Sequence, residues 1–177
     1  MIMPARSRKI ALTAHVLSSV GWFGGVVAFL SLDITAQASD EIQTVRAAYL
    51  AMETIIWFVL IPLACTALLT GIIQALGTPW GLLRHYWVLF KLLLTVVATI
   101  LLVQYSPTVS KTADAAATVA DPRGLESFLQ HSVGALVVLL AVVVLSIFKP
   151  RGITRYGWQK QREQQRAHGE PSKASVP

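Results

Sequence analysis

The chain has 177 residues, of which 54% are hydrophobic and only 14% charged, with a mean hydropathy of +0.59. An ordinary soluble domain carries about a quarter of its residues as charges, so this composition excludes one and points to a membrane protein. The formal net charge is +6, but the basic residues sit beside apolar runs. They are therefore read as membrane topology and lipid contact, and no nucleic-acid site is expected. Cys65 is the one cysteine, which excludes an intrachain disulfide. No HExxH, CxxC, Walker or GxGxxG pattern is present.

The first apolar run, residues 10–33, follows Arg6, Arg8 and Lys9. A basic start and Ala36-Gln37-Ala38 have the outline of a secretion signal and its cleavage site. The run is longer than the ~7–15 residues of a signal core, so an uncleaved first span is expected. At about 100° per residue, His15, Ser18, Ser19, Trp22 and Val26 share one helical face. Gly21 and Gly25 lie beside it at GxxxG spacing, which lets a second helix approach closely.

The second run, residues 47–76, contains Pro62 and is expected to break or kink there. It carries Glu53 and ends at Gly77-Thr78-Pro79-Trp80-Gly81. The third, residues 83–105, opens on Arg84 and His85 and holds Lys91 on a face with Trp87, Thr95, Ala98 and Leu102. Ser106-Pro107 and Asp121-Pro122 bound what reads as a loop with an alanine-rich piece, Ala113 to Ala120. The fourth run, residues 125–148, begins near His131 and is too long and unbroken for a strand. Lys149-Pro150-Arg151-Gly152 closes it.

The expected fold class is therefore all-α, an integral membrane antiparallel four-helix bundle over residues 1–152, followed by a basic, disordered tail over 153–177. Of the 15 Lys and Arg, 11 lie in the N-terminal segment, the second connection and the tail. Three lie in the other two connections, and Lys91 lies within a span. By the positive-inside rule both termini are expected in the cytoplasm of a bacterial cell, with anionic lipid headgroups as partners of the tail. A homo-oligomer or a larger membrane complex stands beside these as a further partner.

Ionisable groups within spans are costly, about 2.5–3.5 kcal/mol at the centre on insertion scales, so they need partners, water or a function. At a rise of ~1.5 Å per residue, His15 lies about 9 Å beyond Lys9 and Lys91 about 10 Å beyond Arg84. Both depths count from the cytoplasmic side. Glu53 and His131 share a level nearer the other side. His15 and His131 thus cannot both ligate one iron, whereas a one-histidine haem site at His15 stays open. The simpler account has His15 hydrogen-bonded inside the bundle, Lys91 snorkelling to headgroups and Cys65 as a small packing residue.

His15 with Gly21-Trp22-Phe23-Gly24-Gly25 resembles the opening of CopD-like bacterial membrane proteins. Trp87-Val88-Leu89-Phe90-Lys91-Leu92 resembles the start of the third span in that group and in HemJ-type protoporphyrinogen oxidases. Lys149 to Thr154 is similar to small four-span membrane proteins of Gram-positive bacteria. The resemblance implies a four-helix membrane protein that binds b-type haem in a redox or haem-related process, with functional roles falling on His15 and Lys91. His15 is then the metal ligand, with Ser18, Ser19, Trp22 and Lys91 around the cofactor. A non-catalytic membrane partner and a small proton-linked carrier using Lys91 and Glu53 are the alternatives.

Overall fold

The computed structural model describes residues 3–77 and 86–148, with residues 154, 158 and 159. Every regular element in them is helical: α1 (Ala5–Ala38), α2 (Ile42–Ile55), a π-helical turn (Ile56–Leu60), α3 (Ile61–Gly77), α4 (Tyr86–Thr118) and α5 (Leu129–Phe148). The π turn joins α2 to α3 as one helix of 36 residues. There are thus four long helices, each long and apolar enough to cross a membrane. The tail beyond Lys149 lies largely outside the described residues, as do Trp80, Arg84 and His85.

The helices outrun the apolar stretches that specify them. α1 passes through Thr35 and Ala36 to Ala38, so the first connection shrinks to Ser39, Asp40 and Glu41. Ser39 turns the chain into extended backbone (φ −86°, ψ 135°), and its N–H still bonds Thr35 O. Its hydroxyl accepts the Glu41 N–H at 3.2 Å, and Glu41 Oε2 accepts the Thr44 hydroxyl at 2.7 Å. Short polar side chains take the backbone donors that the turn would leave bare.

Pro62 does not end the second helix. Lacking an N–H, it leaves the Phe58 carbonyl without its usual donor. The chain adapts one turn earlier: the Ile61 N–H reaches back five residues to Ile56 O, closing the π turn. Ile56 and Leu60 stay buried, while Trp57 swings to donate its indole N–H to Ser110 Oγ of α4 at 2.9 Å.

The largest departure is at Pro107, expected as a boundary and found inside α4. The Val103 carbonyl loses its helical donor to the proline, and the Ser106 hydroxyl replaces it at 2.8 Å. The helix then continues through the alanine-rich piece. Ala113 and Ala116 are 1% and 0% exposed, small enough to let α4 lie close against α2. Arg46 of α2 donates to Ala117 O at 2.6 Å and Val119 O at 2.9 Å, capping the negative end of α4. Arg46 therefore serves the end of α4. Ser106→Ala is expected to cost about 1 kcal/mol of stability, because the Val103 carbonyl loses its donor. Unfolding in detergent micelles measures this; an unchanged midpoint would mean that Val103 O needs no donor.

The second connection that is described, residues 119–128, is tied to the first. Arg123 grips Asp121 at 2.7 Å and reaches Asp40 O at 3.4 Å. Its side-chain hydrogen bonds hold the Asp121 carboxyl down at about 2. Gly124, at φ +85°, supplies the left-handed turn that leads back towards α5.

Packing follows the α1 face. Ser18, Trp22, Val26, Phe29, Asp33 and Ala36 are buried at steps of three and four residues. Met3 N bonds Gly77 O, Gln74 reaches Ala11 O, His15 reaches Ala67 O, and Gln37 reaches Tyr49. A Cβ on Gly21 would lie 3.1 Å from Leu63 Cδ1, and one on Gly25 2.7 Å from Leu60 Cδ2. These glycines therefore set how closely α1 meets the second helix. α5 packs on α1 and α4. Little of the apolar surface is enclosed: 6% of the most apolar window of α4 is buried and 11% of that of α5. Leu17, Phe58, Leu101 and Phe148 are all more than half exposed.

Candidate functional site

The face of α1 that packs on α3 carries His15. Its ring is half-buried, and Nδ1 lies 3.0 Å from Ala67 O and 3.2 Å from Thr70 Oγ1. Thr70 directs its own hydroxyl proton to Thr66 O at 2.6 Å, with Ala67 O at 3.2 Å. A carbonyl oxygen only accepts, so Nδ1 must carry a hydrogen and donate. In the neutral ring the lone pair then lies on Nε2. Gly71 makes room for the ring: a Cβ there would come within 3.1 Å of His15 Cε1. An added methyl group would push the imidazole by a few tenths of an ångström, and a longer side chain would displace it.

Lys91 of α4 lies within electrostatic range of His15, and its Nζ stands 5.7 Å from the Trp87 ring centroid. Their helices, α1 and α4, make no close backbone approach, so the charge of Lys91 reaches His15 across a gap. Ser18 does not hold the His15 ring; its hydroxyl donates to the His15 backbone carbonyl at 3.1 Å. The acceptor for the ring comes from α3. Ser19 is half-buried beside it, and Trp22, 4% exposed, is a core residue two turns further along. Cys65 is exposed on α3 and packs no interior. Among the described residues no three His, Cys, Asp or Glu side chains gather closely enough to hold a metal ion.

A second polar zone lies at the far end of α1. Asp33 is 0% exposed. Its Oδ2 accepts the Ser127 hydroxyl at 3.1 Å, and Oδ1 has no partner among the described residues. Ser127 Oγ also accepts the Leu129 N–H at 3.3 Å, so the carboxylate stands behind the positive end of α5. Tyr49, 1% exposed, accepts from Gln37 and shares its proton between Leu125 O and Glu126 O, both at 3.3 Å. Tyr105 donates to Glu126 Oε1 at 3.3 Å and stacks on His131, with ring centroids 3.7 Å apart. His131 therefore belongs to this zone and is remote from His15. Glu53 is half-buried on α2.

Reading the sequence missed Asp33 because it stands where the apolar run ends. Its spacing held the signal: 22, 26, 29, 33 and 36 continue one helical stripe, and a carboxylate on that stripe must be buried. Tyr49 and Tyr105 gave no such sign, since their partners are backbone carbonyls and an acid from a connection. Compared with family models, curated proteins and solved structures, the chain finds no match in any of the three.

Proposed function

We propose that the protein is an antiparallel four-helix bundle in a bacterial cell membrane, with both termini cytoplasmic, that holds a b-type haem on His15. The order of bonds supports the antiparallel arrangement: Met3 just ahead of α1 and residues 11, 15 and 37 of α1 meet 77, 74, 67 and 49 in turn. The exposed apolar surface suits lipid and would be a liability in water. The excess of Lys and Arg at the two ends of the chain supports the orientation.

The observation that carries the haem reading is the 3.0 Å bond from His15 Nδ1–H to Ala67 O. It leaves Nε2 as the donor atom, in the tautomer an axial iron ligand uses, and the carbonyl makes that nitrogen more basic. The donor set fits a one-histidine site. Bound haem would supply one-electron redox chemistry. Lys91 offers the positive charge that a propionate needs, which lessens the cost of keeping an ammonium within the span. Gly71 admits the ring and Thr70 shares its N–H. The resemblance to CopD-like and HemJ-type proteins in the His15 and Lys91 segments points the same way.

The test is the spectrum of the protein purified from haem-supplied cells. A Soret band and a pyridine haemochrome are expected from the wild type, and His15→Ala is expected to lower haem content by about 10–100-fold. Lys91→Ala should weaken haem retention without abolishing it. A colourless wild type, or a His15→Ala protein with full haem, would sink the reading. Reporter fusions at Asp40 and Asp121 test the orientation separately, since cytoplasmic activity at either would reverse it.

A further inference from the structure

A cleft of about 350 Å³ opens between α4 and α5, with α1 and the π turn as its floor. It lies apart from His15. Its two ends differ in chemistry. Trp22, Ala98, Val138 and Leu139 form an apolar end, and Tyr105, Gln130, His131 and Ser132 bring polar groups to the other. Ser132 is 5% exposed, and its hydroxyl bonds nothing among the described residues. A hydroxyl that opens only into such a cleft is free to take a hydrogen bond from a polar group that enters there.

The head that fits must be uncharged. None of the residues lining the cleft is Lys or Arg, so a phosphate head would be desolvated without a counter-ion. Glu126 stands directly behind Tyr105, which adds repulsion for any anion. Ser132, His131 and Gln130 can together give and accept hydrogen bonds. The volume falls at the small end of the range for ligand pockets, about 300–1,000 Å³, too narrow for two chains. The mouth between α4 and α5 is flanked by the exposed side chains of Leu101 and His131, so entry is sideways from the lipid.

We propose that this cleft binds an uncharged, single-chain membrane lipid with a hydroxyl or carbonyl head, the head at Ser132 and His131 and the chain running towards Trp22 and Leu139. The proposal uses the membrane placement argued above but not the haem. His15→Ala protein should bind the lipid as the wild type does, so the two ideas fail separately.

The experiment uses the full chain in phosphatidylcholine nanodiscs and a photoreactive probe, hexadecanol with a diazirine beside the hydroxyl. Irradiation is expected to label peptides from the 105–139 region, and excess hexadecanol should remove the label. Hexadecyl phosphate and hexadecyltrimethylammonium should not. Gly134 lines the cleft, and a Cβ there meets nothing within 4 Å. Gly134→Leu therefore sets a larger side chain at the cleft wall, its Cβ free of clashes, and should lower labelling at least ~5-fold. Gly24→Leu, on open α1 surface, is the control and should not change it. Ser132→Ala should weaken competition by hexadecanol. Labelling spread evenly over the four helices, or unaffected by Gly134→Leu, would overturn the proposal. Equal competition by hexadecyl phosphate would overturn the uncharged head.

Discussion

Phe128→Ala is expected to destabilise the protein by about 3–5 kcal/mol, more than any other single side-chain truncation. Phe128 is 1% exposed, although it lies in a connection just ahead of α5. Its ring meets Phe29 edge-on at 6.0 Å and Tyr105 at 5.9 Å, so it joins α1, α4 and α5 at one point. Its carbonyl accepts the Ser132 N–H and starts α5. Within a bilayer, packing rather than water exclusion holds helices together, so lipid does not restore the fit that an aromatic wedge supplies. The aromatic pairs add about 0.5–1.5 kcal/mol beyond area. Phe128→Leu, which keeps most of the volume, should lose roughly half as much. Thermal unfolding in micelles and trypsin cleavage at Arg123 report the two consequences, a lower midpoint and a looser α5. A Phe128→Ala protein within about 1 kcal/mol of the wild type would show that α5 is held mainly elsewhere.

Gly71→Leu is expected to remove haem as effectively as loss of the ligand, about 10–100-fold, although Gly71 donates nothing to iron. The atoms beyond its Cβ would occupy the space of the His15 ring, which already approaches that position to 3.1 Å. The imidazole must then leave Ala67 O, losing both its tautomer and its aim. Gly71→Ala asks for a shift of a few tenths of an ångström only, so most of the haem should stay. The graded pair separates positioning from folding, provided both variants unfold cooperatively. Full haem in a folded Gly71→Leu protein would mean that the bond to Ala67 is not what prepares His15.

Much of the architecture was legible before any coordinates. The four apolar runs became four long helices, because a stretch of some 20 residues without charges has few alternatives to a spanning helix. The α1 face was legible from residue spacing, and Ser18, Trp22 and Val26 are buried as that spacing implied. Helix ends were less so. Pro107 reads as a terminator only while Ser106 is ignored, and α4 reaches Thr118 partly because Arg46, 71 positions away from Ala117, caps it. Most of the stretch read as a connection after Ser106 is helix, for reasons that no local window contains.

By itself, then, the sequence determined the class of molecule, the number of long helices and the inward face of α1, since periodicity and hydropathy are local properties of a chain. Counting residues also led to the expectation of His15 and Lys91 at one depth. Only the tertiary structure decided which atoms His15 meets. Its acceptor is a backbone carbonyl of α3, 52 residues away. The same holds for Asp33, whose partner Ser127 is 94 residues away, and for the cleft between α4 and α5. Hydrogen-bond partners and cavities depend on how helices dock to within about an ångström. That docking is set by Gly21, Gly25, Gly71 and the alanines of α4 acting together, not by any one segment read alone.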